Sequence, residues 1–265
     1  MMKKTLVALA LAATTVSGSA MAWQANSTGG SLELGGTLTP QANVTPWEVL
    51  IGSAVNDINA SIRAGNTSVD TVISKPITIL GIRTQVSKTQ TFAGSVGAAL
   101  NPVIDFGGAI NTSQFQNGVT PLSLDIRNSK DNATIGRLTV PMLAGAMASY
   151  DATADGGEKT FYSVYSDGQG GFMGGLSDKK AGALIDIRPR LNAINPDFSA
   201  NFNEQGAGIH TSAPLGINFN NIAQYSGFYG AGIEAGQIMK LTLDAPATSD
   251  TIQWKASLPI VVSYQ

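Results

Sequence analysis

Short apolar runs broken by turn residues dominate this chain. Stretches rich in Val, Ile, Leu and Thr recur about every ten residues, separated by Gly, Asn, Asp or Pro, and that rhythm belongs to strands and tight connections. The pattern predicts strands over 47–51, 68–73, 77–82, 121–127, 134–143, 240–243 and 252–264, arranged as a β-sandwich. Helical periodicity enters between residues 178 and 202, where Ala181, Leu184, Ile185 and Ile187, and then Phe198 and Phe202, could each line one face of a short helix. Pro189 and Pro196 keep any such helices short. With the Gly-rich stretch before it, this segment forms an insertion over about 149–214, and loops carried on a rigid sandwich are where binding concentrates.

The two ends alternate with period two. Near the start, Leu32, Leu34, Gly36 and Leu38 fall on one face of an extended segment, with Glu33, Gly35 and Thr37 opposite. Such a Gly-bearing arm ahead of the first sandwich strand either docks in another molecule or folds back into its own sheet, and the pattern leaves both open. At the other end, Leu258, Ile260, Val262 and Tyr264 share a face, opposite Pro259, Val261 and Ser263. Pro259 cannot donate to a ladder, so this strand should lie at a sheet edge or carry an irregularity there. An edge strand is an open template for another chain.

The first residues read as a secretory signal. Lys3 and Lys4 precede an apolar stretch from Leu6 to Val16 and a small-residue site at Ala20-Met21-Ala22, so cleavage is expected before Trp23. Without Lys3 and Lys4 the chain keeps 14 basic against 18 acidic residues (16 − 2 = 14), a net charge of −4, which argues against nucleic acid as a partner. Cysteine is absent, so stability must come from the sheet or from neighbouring molecules rather than from disulfides.

Catalytic chemistry finds little support. The single histidine, His210, sits in a Gly-Ile-His-Thr setting that offers no triad, and no nucleophile elbow, phosphate loop or dinucleotide fingerprint is present. Asp151, Asp155, Glu158 and Asp167 lie near one another and could in principle act as paired carboxylates on a glycosidic bond. Their Gly-rich surroundings instead predict solvated loops without the burial that tunes a carboxyl group. No metal and no cofactor is expected.

Five segments in order resemble the major subunit and adhesin family of K-eighty-eight type (F-four type) fimbriae. They are Trp23 with the later Gly-Ser-Leu-Glu-Leu-Gly-Gly-Thr-Leu-Thr, then Lys75-Pro-Ile-Thr-Ile-Leu-Gly-Ile-Arg-Thr, Phe172-Met-Gly-Gly-Leu, Gly230-Ala-Gly-Ile-Glu-Ala-Gly-Gln, and Gln253-Trp-Lys-Ala-Ser-Leu-Pro-Ile-Val-Val-Ser-Tyr. The resemblance implies an all-β fold: an incomplete immunoglobulin-like sandwich lacking its final strand, with a small mixed loop and helix insertion. It divides the chain into a signal peptide (1–22), a donor-strand extension (23–40) and a pilin domain (41–265). It further implies assembly by a periplasmic chaperone and outer-membrane usher into a surface fimbrium, in which Leu32, Leu34, Gly36 and Leu38 of one copy fill a groove of the next. Leu258, Ile260, Val262 and Tyr264 would then form the acceptor and chaperone-contact strand.

In that family the shaft subunit is also an adhesin, whose insertion binds a host carbohydrate receptor. Aromatic rings stack on sugar faces, so Phe161, Tyr162, Tyr165 and Phe172 are candidates here, with Asp167 and Lys179 as polar contacts; each aromatic, taken singly, is more readily read as packing the insertion onto the sandwich. Two alternatives remain at this level: a shaft or minor subunit without a lectin role, and an exported carbohydrate-active enzyme.

Overall fold

The structure, a computed structural model, describes residues 35–37, 45–85, 91–210 and 212–265. The chain divides into a unit ending at Asn43 and a second unit, Val44–Gln265, to which the following applies. Its strands are β1 (Trp47–Ile51), β2 (Ser68–Val72), β3 (Ile77–Thr84), β4 (Phe92–Ala93), β5 (Pro102–Asp105), β6 (Val119–Asn128), β7 (Thr134–Asp151), β8 (Lys159–Ser163), β9 (Gln224–Ile233), β10 (Ile238–Leu243), β11 (Trp254–Lys255) and β12 (Val261–Tyr264). Among the described residues there is one α-helix, α1 (Arg188–Ile194), so the all-β expectation holds.

The larger sheet is antiparallel and runs β1-β3-β9-β7-β10-β2, while β12 and β5 form a separate two-stranded ladder. Its spine is β7, 18 residues long. The first half of β7 pairs with β6 and β10, and the second half with β9 and β8. Burial follows that division. From Gly136 to Val140 buried and exposed positions alternate, as on a sheet with one wet face. From Met142 to Ser149 every residue is buried, because the insertion covers the outer face there.

Two cores result. The main one lies on the inner face, around Trp47, Leu80, Ile82, Phe172, Phe219, Tyr225 and Tyr229. The second, with Met147, Ile187, Leu191, Phe198, Phe202 and Phe228, lies between the sheet and the insertion. The insertion approaches closely because the sheet presents glycines to it. Gly81, Gly230 and Gly145 are direct cross-strand neighbours on β3, β9 and β7. A Cβ added at Gly230 would stand 2.6 Å from the Phe198 ring, and one at Gly145 would stand 2.5 Å from Ile187. The row is a trough for the insertion's large side chains.

The predicted strands are all present, with two adjustments. β7 continues eight residues past the predicted end at 143, and the C-terminal run splits into β11 and β12. β4, β5, β8 and β9 were not predicted. β9, Gln-Tyr-Ser-Gly-Phe-Tyr-Gly-Ala-Gly-Ile, is buried from Tyr225 to Ile233; buried on both faces, it shows no alternation, and its glycines read as breaks. In the insertion, Pro189 opens α1 within its first turn and Pro196 opens a 3₁₀ turn, Pro196–Ser199. Ile187, Phe198 and Phe202 face the second core, but Ala181 and Ile185 are exposed. The anticipated continuous face is a 3₁₀ turn and a bend there instead.

Candidate functional site

The C-terminal strand carries the most unusual arrangement in the domain. From Ile252 to Tyr264 every second residue is half-buried, and the residues between are exposed. Leu258, Ile260, Val262 and Tyr264 all pack on the main core without being covered by it. β11 meets β6 only at Trp254 and Lys255, and β12 meets β5 from Val261 to Tyr264. Pro259 lies in the unpaired stretch between them, so close to Gly107 that a Cβ there would stand 2.4 Å from its ring. The predicted irregularity at Pro259 is therefore present.

One edge of β12 is open. Gln265 exchanges both backbone hydrogen bonds with Asn101, at 3.0 and 3.1 Å. In an antiparallel ladder this fixes the alternation: Ser263 and Val261 also turn toward β5, and Val262 and Tyr264 turn their N–H and C=O groups away. No strand receives them among the described residues. The far side of β5 is closed by the turn after Gly171, where the Phe172 amide donates to the Pro102 carbonyl and the Ile104 amide to the Met173 carbonyl, at 2.6 and 2.8 Å.

A second unpaired run follows β1. Between residues 53 and 62 the one backbone-to-backbone hydrogen bond among the described residues joins the Asn59 amide to the Asp57 carbonyl, at 3.0 Å. Ile58 leans on the main core, and the residues around it are exposed. On β1 itself, Trp47, Val49 and Ile51 share the core-side face. Trp47 is buried there, yet Val49 and Ile51 are 42% and 53% exposed. The apolar interior is thus uncovered beside β1 as well as along β12. The sequence reading missed this region; its only signal was Val55, Ile58 and Ile62 in a largely polar run without strand alternation. Of the anticipated donor residues, Leu32, Leu34 and Leu38 lie outside the described residues, while Gly36 is described and exposed.

The structure separates the sugar-stacking candidates. Phe172 is 0% exposed and sits among Trp47, Phe219 and Tyr229, with ring centroids 5.5 to 5.8 Å away. Phe161 and Tyr162 are also buried, Phe161 against Phe202 and beneath the Arg188 guanidinium. Burial pushes the Tyr162 phenol up, as it does at Tyr229. None of these three offers a ring face to a sugar, which corrects that part of the sequence reading: they are packing residues. Tyr165 is half-buried, and Asp167 and Lys179 are exposed. Their loops adjoin, since the Ser166 amide donates to the Ser177 carbonyl at 2.9 Å, and Lys180 Nζ lies 5.8 Å from the centre of the Tyr165 ring.

The loop carboxylates are solvated, as expected. Asp155, Glu158 and Asp167 are exposed. Asp151 accepts from the Thr153 hydroxyl and amide and pairs with Lys159 at 2.9 Å. Those hydrogen bonds first, then the lysine, hold its carboxyl down at about 2, the opposite of what a proton donor at neutral pH requires. The His210 amide donates to the Phe161 carbonyl at 2.8 Å, a loop anchor. Among the described residues no helix is long and apolar enough to cross a membrane.

Comparison with known proteins agrees with the family that the five segments resemble. Residues 2–265 match the family described as fimbrial major and minor subunits, of K88 type. The chain is 28% identical to K88 fimbrial protein AD of Escherichia coli, with 99% of this chain and 100% of that protein aligned. K88 fimbrial proteins AC and AB of the same organism are each 27% identical, over 99% of this chain and all of theirs.

Proposed function

Because the chain belongs to the family of K88-type fimbrial major and minor subunits, we propose that it polymerises by strand donation, each copy placing its N-terminal extension on the open edge of the next. The observation that carries this reading is β12, a strand with a half-covered apolar row, one edge paired with β5 and the other without a partner among the described residues. Leu32, Leu34 and Leu38 of the donor would complete that row, with Gly36 passing a shallow point. Burying three leucines contributes about 1.5–3 kcal/mol each, with ladder hydrogen bonds added. The unpaired run at 53–62 supplies a natural second wall. Until the donor arrives, a periplasmic chaperone would cover the edge and an outer-membrane usher would hand the subunit on to the surface fimbrium. The role is structural rather than enzymatic.

The test is deletion of residues 23–38 in cells that supply chaperone and usher. Folded subunits that no longer polymerise are expected; continued fibre formation overturns the reading. Appending the same segment after Gln265 through a short linker should give a monomer with a higher melting temperature, because the edge is then filled in cis.

Adhesion to a host glycan is a second reading, favoured by one observation: Tyr165, Asp167 and Lys179 lie on adjoining loops at the surface of the insertion. A half-open ring flanked by charged side chains suits a sugar. Glycan-array binding by the self-complemented monomer should be lost in Tyr165→Ala; if no glycan is retained by the unmutated monomer, the chain is a shaft or minor subunit.

A further inference from the structure

Two large aliphatic side chains stand almost free at one end of the domain. Val96 is 77% exposed and Ile222 67%, the former in a turn closed by the Ala98 amide on the Ser95 carbonyl. Their loops are joined, because Ala93 pairs with Gln224 on β9 and the Gly94 amide donates to the Ala223 carbonyl at 2.9 Å. The same end holds both approaches to the joint. The Trp47 indole donates to the Leu100 carbonyl at 2.7 Å, which fixes the start of β1 against the loop that follows Val96. Gln265 pairs with Asn101, and the Asn220 side chain donates to its carbonyl at 3.2 Å. Val96 and Ile222 therefore lie on loops at the same end of the domain as the start of β1.

Distance along the chain then limits what can face this end. Leu38, the last donor residue, and Thr45, the first residue of the domain proper, are seven positions apart. Fully extended, that connection spans at most about 25 Å. A neighbour holding Leu38 in its acceptor edge therefore lies within about 25 Å of the end of the domain from which the connection emerges. We infer that Val96 and Ile222 form a contact face for a second copy of this chain, the copy that receives the arm. The inference rests on the strand-donation reading and adds a second interface to it. Beyond the donated strand, the joint between successive subunits is then a seated contact of apolar side chains rather than a free swivel, and the fibre gains stiffness from it.

The absence of cysteine makes this testable in the full chain. Single variants Ile222→Cys and Val96→Cys are prepared as self-complemented monomers and as fibres, with Ile238→Cys, exposed on the β10 strand, as the control. Maleimide labelling at 222 and 96 is expected to slow by at least about tenfold on going from monomer to fibre, while labelling at 238 stays unchanged, since thiol reactivity follows access. Equal rates in monomer and fibre at both positions overturn the contact. A variant that folds as a self-complemented monomer yet forms no fibres when expressed without the appended segment also supports it. Failure of strand donation itself reads out separately, as fibres formed by chains lacking residues 23–38.

Discussion

Gly230 has no room for a methyl group, with the Phe198 ring 2.6 Å from where its Cβ would stand. Gly230→Ala should therefore lower stability by about 1–3 kcal/mol, the usual range for overpacking a filled core, and a thermal melt of the self-complemented monomer measures it. Protonation gives a second handle at this scale. Burial, and the nearby Tyr150, push the Tyr225 phenol up to about 12. A folded value above the ordinary 10 means that the fold favours the protonated form. The associated stability is complete below about pH 10 and is lost as pH rises toward 12. Tyrosinate absorbance followed against pH, alongside melting temperatures from circular dichroism, should show stability falling across that interval.

Among the elements, the insertion behaves as a fixed third layer. Phe198 and Ile187 fill the glycine trough, and Arg190 forms a two-pronged bond to Glu234 in the β9–β10 turn, at 2.9 and 2.5 Å. Phe198→Ala should cost about 3–5 kcal/mol. The Arg190–Glu234 pair is partly exposed and should yield no more than about 1 kcal/mol in a double-mutant cycle. Packing, not charge, holds the layer in place. That difference also explains what could be seen in the sequence. β1 and β3 announce themselves by β-branched runs between turns, and Pro259 announces its irregularity by the missing N–H. β9 does not, because glycines that elsewhere mark turns here make way for a layer whose existence must already be known. Phe172 misled for a related reason: an aromatic in a Gly-rich loop looks like a binding residue, and only the fold shows it turned in toward Trp47 and Tyr229.

At the scale of the whole molecule, the domain is closed on one side and unfinished on the other. Among the described residues, the outer edge of β12 and most of the run at 53–62 have no backbone partners, while β7 and β9 within the large sheet are paired on both sides along their overlap. Amides of Val262 and Tyr264 should therefore exchange with deuterium quickly in a subunit whose edge is empty and become protected on polymerisation, while those of β9 are protected in both states. The alternating pattern at Leu258, Ile260, Val262 and Tyr264 was legible in the sequence as an edge strand. The run at 53–62 was not, because it has no periodic signature and stands out only by the scarcity of backbone hydrogen bonds it makes among the described residues.

The row Gly81, Gly230, Gly145 also constrains how such a chain can drift. Surface turns of the insertion are free to change one residue at a time, and a population of variants can differ there without touching the sheet. Positions under Phe198 and Ile187 lack that freedom. A Cβ at 230 becomes tolerable only if the ring at 198 shrinks in the same lineage, so substitutions across this seam should appear as coupled pairs. The recognisable face of the subunit can diversify quickly while its underside is held to a slow, paired clock.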